Sequence, residues 1–381
     1  MKRFERLLIS GASRCCRKYF TRITDEPPPR RDELPRVPSD TSAKPTPSLR
    51  IPLAVLVFSA ILSAHTHSAE KPEIISVQKI SAAAPHSAFT DLVRFNGEWL
   101  CAFREGKGHV SEDGAIRIIS SDNLQNWFTW SHVTKDGIDL RDPKICLTPN
   151  GELMLTTAGA DRSQKPVVHE SYSWLTRDGR KWEGPFTIGD KNMWLWRVTW
   201  HKGTAYSVGY NTSGEKHLPG RDALPRVRLY TSKDGKKFDV LVPKLFDEGY
   251  PNETGMVFLD DDTALCLLRR DGEQASGKLG SAKPPYTDWS WKDLGVRIGG
   301  PAMIQIPDKR LIAAVRLYDA KVRTSIVQID PATAKLTELL ALPSGGDTSY
   351  AGLVWHNDTL VVSYYSSHEG KTAIYLARVR M

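Results

Sequence analysis

The chain has 381 residues, 40% hydrophobic, 25% charged and 9% aromatic, which is enough apolar material for a large core and excludes a disordered or collagen-like chain. Its formal charge of +8 comes from 52 basic and 44 acidic residues. Residues 1–69 hold 12 of the former and 6 of the latter, so the other 312, with 40 and 38, are close to neutral and give no basis for a nucleic-acid partner.

Residues 1–50 are basic and proline-rich (PPPRRDELPRVP) without sustained apolar periodicity, as expected of a disordered leader. Residues 51–64, IPLAVLVFSAILSA, are uncharged and end in small residues. The run is short for a membrane span and suits a signal-peptide core, with residues 51–69 as core and cleavage region and a cut after Ala64 or Ala69. The expected location is therefore secreted or periplasmic, with an uncleaved N-terminal membrane anchor as the alternative. Residues 70–381 are expected to form one domain, and the chain to be a monomer.

Beyond the leader, three cysteines lie in the apolar runs WLCAF, KICLT and ALCLL, which reads as three buried small side chains and not a disulfide framework. No CxxC or HExxH spacing occurs, and no GxGxxG or GxxxxGK[ST] follows a strand, so neither metal nor cofactor is expected.

From residue 73 onward the chain reads as short strands separated by Gly, Asp and Asn turns: EIISVQKI, EWLCAF, AIRIIS, ELMLTTA, TAYSVGY, VRLYTS, TALCLLRR, AMIQI, LIAAVRLY, TSIVQI, TLVVSYY and TAIYLARV. Convincing amphipathic helices are missing, so the fold class is all-β. SSDNLQNW (120–127), TRDGRKW (176–182) and SKDGKKF (232–238) repeat one pattern of Ser/Thr, any residue, Asp, a turn and an aromatic. Its aromatics are Trp127, Trp182 and Phe238, with Trp291 in the weaker unit YTDWSWKDLG and a worn counterpart at QIDPATAKL. The spacings of 55, 56 and 53 residues between these aromatics are those of propeller blades, each a four-stranded sheet. Five blades fill residues 84 to 342. Residues 349–381 supply three more strands, and EIISVQKI (73–80) is expected to add the fourth by pairing the chain ends, giving a six-bladed β-propeller.

These boxes resemble the Asp-box repeats of the sialidase (neuraminidase) superfamily, over residues 73–381. The resemblance implies a Tyr nucleophile, a Glu that polarises it, an Asp acid/base and three Arg that grip a substrate carboxylate. NETGMVFLDDDTALCLLRRDG places Glu253 sixteen residues before Arg269, like the family's Glu and second Arg. TSYAGLVWHNDTLVVSYY puts Tyr350 where the nucleophile starts the last blade. Arg323 stands near the expected third Arg, with Arg316 as its competitor. The first blade departs from the pattern, because HSAFTDLVRF has no Arg at the matching site. The acid/base belongs in the loop AFREGKGHVSEDGAIRI, which offers Arg104, Glu105, His109, Glu112 and Asp113.

Tyr is a poor nucleophile at its ordinary pKa of about 10 and needs a neighbour to take its proton, which the resemblance assigns to Glu253. The alternative makes Tyr350 a blade aromatic and Glu253 a turn residue. His109 and Asp113 are the acid/base candidates. Arg104, Arg269 and Arg323 would clamp a carboxylate, with Arg316, Glu105 and Asp142 as further substrate-binding candidates. MWLWRVTW (193–200) puts Trp194, Trp196 and Trp200 on one strand face, read as packing between blades, with Trp196-Arg197 bordering the pocket as the alternative. The expected function is an exported exo-glycosidase that removes a terminal acidic or modified sugar from a glycan. A non-catalytic glycan- or protein-binding propeller and a polysaccharide lyase on the same scaffold are the competing readings.

Overall fold

The computed structural model describes residues 71–213, 226–273 and 275–381. The leader, signal and anchor expectations for residues 1–69 lie outside the described residues. Among the described residues all regular structure is strand, arranged as six four-stranded antiparallel sheets. The first blade runs His86–Phe95, Glu98–Gly106, Ala115–Ser121 and Phe128–Val133, from ring centre to rim. The next four repeat that order from inner strands Asp139–Leu147, Met193–His201, Pro251–Phe258 and Ile298–Gln305. The sixth has Thr348–His356 innermost, followed by Thr359–Ser366 and Ala373–Arg380, and its rim strand is Glu73–Ser81 from the start of the domain. That strand runs antiparallel to Ala373–Arg380, so both chain ends lie in one sheet, as the sequence predicts.

Strand position in the blade explains the composition of each run. Second strands are covered on both faces by neighbouring sheets, so WLCAF is apolar throughout instead of alternating, and Leu100, Cys101, Ala102 and Phe103 are fully buried. Rim strands such as Phe128–Val133 keep most side chains exposed or half-buried. Between the first two blades, Leu100, Ile116 and Ile118 pack on Leu140, Ile145, Leu155 and Trp174. None of the three cysteines of the blades is in a disulfide, and all are buried or nearly so.

The repeated turn is a hydrogen-bond device. Thr176 Oγ1 accepts from Gly179 N (2.9 Å), while Asp178 Oδ1 accepts from Arg180 N and Lys181 N (2.8 Å each). Ser232 and Asp234 do the same for Gly235, Lys236 and Lys237. In the first blade the acceptor is Asn123, not Asp122, with Ser121 rather than Ser120 as the hydroxyl partner. An Asn side-chain oxygen offers the same acceptor geometry as Asp, so the pattern tolerates the exchange.

All six inner strands share one irregularity. Pairing with the second strand skips a residue between Ala88 and Asp91, Arg141 and Lys144, Leu195 and Val198, Pro251 and Thr254, Gly299 and Ala302, and Ser349 and Gly352. Each is a one-residue bulge, which breaks strict alternation and re-aims a side chain. The bulges carry Phe89, Asp142, Trp196, Asn252, Gly300 and Tyr350, and four of these, Phe89, Asp142, Gly300 and Tyr350, have left-handed φ between 48° and 62°.

Candidate functional site

Five of those six bulge residues, all but Gly300, line one pocket of about 440 Å³. It is closed further by Glu253 and Arg269 from the fourth blade, by Arg162 and His169 from the second, and by His109 from the loop after the second strand of the first.

The best-connected group joins the fourth, fifth and sixth blades. Tyr350 Oη donates to Glu253 Oε1 at 2.6 Å, and Arg269 Nη1 donates both to Glu253 Oε2 (2.7 Å) and to Tyr350 Oη (2.9 Å). The Gly300 amide donates to Glu253 Oε2 at 3.0 Å. Gly300 is required there: its φ is +53°, and a Cβ would lie 2.8 Å from the Tyr350 ring. Burial and then the Glu253 charge hold the Tyr350 hydroxyl well above its usual range, with Arg269 and Arg316 opposing them. The resting residue is thus a neutral phenol aimed at a carboxylate that can take its proton. Burial alone would lower the Arg269 guanidinium, but Glu253, Tyr350 and Asp271 more than offset it, so Arg269 stays charged.

A second cluster comes from the second blade. Asp142 is buried, with Arg141 Nε 3.8 Å from its carboxylate. Burial raises its carboxyl above the ordinary carboxylate range, and Glu253 adds to this against Arg141, Lys144 and His109. His169 is pushed down to about 4 by burial and then by Arg162 and Arg141, so at neutral pH it presents an uncharged imidazole to the pocket. Asp139, wholly buried on its side chain, is bonded to Arg162 (3.0 and 2.6 Å) and to Arg104 (3.0 and 2.8 Å).

Just outside the pocket, Arg197 Nη1 contacts both oxygens of Asp91 at 2.8 Å, and Arg197 Nη2 donates to the Ala351 carbonyl. Arg197 thereby ties the third blade to the first by an ion pair and to the sixth by a hydrogen bond. Lys144, whose ammonium lies 5.0 Å from the Trp196 ring centre, is pushed down to about 8, by burial first and Arg197 second.

The structure brings Tyr350, Glu253, Arg269, Asp142 and His109 together at one pocket and sends the other sequence candidates elsewhere. Arg104 is fully buried. Besides Asp139 it binds the Gly108 carbonyl and Ser111, so it braces the loop 107–114 from beneath and does not reach the pocket. Glu105 accepts from Arg117 on the neighbouring strand. Asp113 accepts from Lys107 N, and although burial raises its carboxyl, hydrogen bonds from Ser111 and Lys107 leave it lowered, the wrong direction for an acid. Arg323 is bonded to Glu338 and Asp319 and does not line the pocket. Its competitor Arg316 binds the Thr348 carbonyl, Asp347 and Tyr365, with its guanidinium carbon 5.4 Å from the Tyr350 ring centre, so it supports that ring from behind the pocket lining. Trp194 and Trp196 line the pocket while Trp200 does not, because the bulge between Leu195 and Val198 interrupts the shared face.

Arg141, Arg162, His169, Asn252, Asp271, Phe89 and Tyr210 line the pocket without having been singled out from sequence. Arg141 and Asn252 each had one signal, standing beside Asp142 and Glu253.

Asp139→Asn is expected to leave Arg104 buried without its carboxylate and to cost about 3–5 kcal/mol of stability, the usual penalty for removing one partner of a buried pair. Urea unfolding of wild type and variant measures it. A loss below about 1 kcal/mol would show that Arg104 finds adequate partners in Gly108 and Ser111 alone.

No protein-family model matches the chain, and no relative is found among curated proteins. Solved structures do match. A protein of unknown function from Dyadobacter fermentans is 17% identical with a TM-score of 0.68, over 82% of this chain and 100% of that one. The GH93 alpha-L-arabinofuranosidase of Fusarium graminearum, solved with arabinobiose, is 13% identical with a TM-score of 0.63, over 81% and 98%. Trypanosoma rangeli sialidase is 10% identical with a TM-score of 0.59, over 77% of this chain and 55% of that one, so the match spans about half of that sialidase. At these identities the likeness shows the fold: a sialidase-like six-bladed β-propeller.

Proposed function

We propose that the chain is an exo-acting glycoside hydrolase that removes a terminal sugar from glycans. The observation that carries this reading is the 2.6 Å bond from Tyr350 Oη to Glu253 Oε1 at the pocket, with Arg269 bridging the two. Two of the three solved structures described above are glycosidases by name, which supports the reading.

In the first step Asp142 gives its proton to the glycosidic oxygen as that bond breaks. Tyr350 Oη attacks the anomeric carbon while its own proton passes to Glu253. In the second step water attacks the same carbon, the Asp142 carboxylate takes the water's proton, and the Tyr–carbon bond breaks with the phenol recovering its proton from Glu253. Two displacements at one carbon give net retention. Asp142 takes the acid role because it lines the pocket with a raised carboxyl, which Asp113 does not.

The charges favour an uncharged sugar. Every guanidinium lining the pocket already has a carboxylate: Arg141 has Asp139 and Asp142, Arg162 has Asp139, and Arg269 has Glu253 and Asp271. A substrate carboxylate would have to displace one of them. Phe89, Trp194, Trp196 and Tyr210 add the flat apolar wall that sugar C–H faces use. A second reading, the acidic sugar, is favoured by the nucleophile itself, because a neutral Tyr does not repel a substrate carboxylate as Asp or Glu would. On either reading we place the activity outside the cytoplasm, from the apolar segment 51–64.

The test is release of sugar by the full chain from aryl glycosides of neutral pentoses and hexoses, uronates and sialic acid. Release from a neutral glycoside alone is the expected result. Release from a sialoside or uronide alone would establish the second reading. No release from any would leave a glycan-binding propeller.

A further inference from the structure

Beside the pocket, three segments that are distant in sequence point ligand atoms at one place. His86 opens the inner strand of the first blade, His109 sits in the loop above it, and Asp347 lies in the turn entering the sixth blade. His86 Nε2, His109 Nδ1 and one Asp347 carboxylate oxygen all lie within 4.8 Å of one another. We propose that these three residues form a site for a first-row transition-metal dication, Zn²⁺ in the first instance, which pins the 107–114 loop to the sixth blade at the pocket wall. The proposal does not depend on the hydrolase reading.

Four features of the cluster argue for a ligand set over an ordinary ion pair. The carboxylate is held for the purpose: Asp347 Oδ1 accepts from Tyr365 Oη (2.6 Å) and from Arg316 Nη2 (3.2 Å), and the Asp347 amide donates to Ser367 Oγ. Only Oδ2 faces the imidazoles, which is the arrangement in which outer partners orient a metal-binding carboxylate. Next, a single oxygen serves both rings. His109 Nδ1 is 2.7 Å from it, while His86 Nε2 is 3.4 Å away, beyond normal N–H···O length.

The third feature is spacing. Tetrahedral ligands at Zn–N and Zn–O lengths of about 2.05 Å stand about 3.3 Å apart. The His86–Asp347 separation already has that value, His109 needs to withdraw by roughly 0.6 Å from Asp347 on a side chain that is half exposed, and the two ring nitrogens lie within 4.8 Å of each other. The two rings are close to perpendicular, at 76° with centroids 5.5 Å apart, so neither blocks the other. The fourth feature is that His86 is buried and turns Nε2 toward the Asp347 carboxylate, while its Nδ1 faces away without a hydrogen-bond partner.

The donor set selects the cation. Two imidazole nitrogens and one carboxylate oxygen suit Zn²⁺ and its neighbours, whereas Ca²⁺ and Mg²⁺ take oxygen ligands. Three protein ligands leave a fourth position for water. Of the neighbouring cations, Arg316 contacts the other Asp347 oxygen and is further engaged by Tyr365 and the Thr348 carbonyl, and Arg141 Nη1 donates to the His109 carbonyl.

The test uses the full chain, stripped with a chelator and titrated with Co²⁺ while visible ligand-field absorption is followed, then with Zn²⁺ by calorimetry. One equivalent of Co²⁺ is expected to give visible bands that Zn²⁺ abolishes. His109→Ala, on a half-exposed loop side chain that the fold can spare, is expected to remove the bands and weaken Zn²⁺ binding by more than tenfold. Tyr365→Phe, which leaves all three ligands, is expected to weaken it by about 10–100-fold, as loss of an outer partner does. His201→Ala, on a His–Asp pair elsewhere, is expected to leave binding unchanged. Absence of bands and heat in wild type would overturn the site and leave a His–Asp ion pair, and so would bands that survive His109→Ala.

Discussion

Tyr350→Phe is expected to lower kcat for glycoside release by on the order of 10³–10⁶-fold while the protein stays folded, because removing a covalent nucleophile removes the pathway and not merely one contact. The ring itself is a packing element, set edge-on against Phe89 at 5.3 Å and Trp196 at 5.8 Å, and Phe keeps those contacts. Glu253 keeps Arg269 and the Gly300 amide when the phenol is lost, so no buried carboxylate is stranded. Stability is therefore expected to change by only about 1 kcal/mol, the worth of one hydrogen bond. The product anomer, followed by NMR in the wild type, supplies an independent check, since a Tyr-linked intermediate requires retention. Activity of Tyr350→Phe within tenfold of wild type, or an inverted product, would remove Tyr350 from the mechanism.

That the resemblance brings Glu253 and Arg269 together, while much of the pocket lies outside it, has a physical reason. Glu253 and Arg269 sit on adjacent strands of one hairpin, where sequence spacing fixes their proximity. The blade count was legible for a similar reason: the turn device is local, and its donors and acceptor fall within seven residues. Arg104 was not legible. A strand-end Arg after WLCAF reads the same whether it faces the axis or a neighbouring blade, and its partner Asp139 is 35 residues away. Arg162 and Asp271 lie in loops just after strands, and Arg141 and His169 near the starts of theirs, where periodicity gives no signal. The inner-strand bulges explain why a shared face for Trp194, Trp196 and Trp200 does not hold. A period-2 reading fails wherever one residue is inserted, and here that happens in every blade where the pocket begins.

Asp142→Asn tests the other half of the proposed chemistry, and its mark is selectivity as much as loss. Release from a glycoside with a poorly acidic aglycone is expected to fall by about 10²–10⁴-fold, the usual contribution of a positioned acid. An aryl glycoside whose phenolate leaves unaided is expected to lose far less in its first step. The pH dependence has a definite sign. Burial, with Glu253 adding to it, raises the Asp142 carboxyl, so the acid form persists above the ordinary carboxylate range and wild-type activity falls as pH rises through the raised value. The amide of the Asp142→Asn variant has no such proton to lose, and the alkaline limb of its profile is expected to flatten. Stability follows the same linkage: the native state holds this proton more tightly than the unfolded chain, so its contribution is fully present below the unfolded pKa and is lost as pH rises through the folded one. Asp142→Asn removes that dependence, which urea unfolding at a series of pH values measures. Equal losses on both aglycones with an unaltered pH profile would mean that the proton comes from elsewhere on the pocket wall. His109 would then be the residue to substitute next, since of the two acid/base candidates drawn from the sequence it is the one that reaches the pocket.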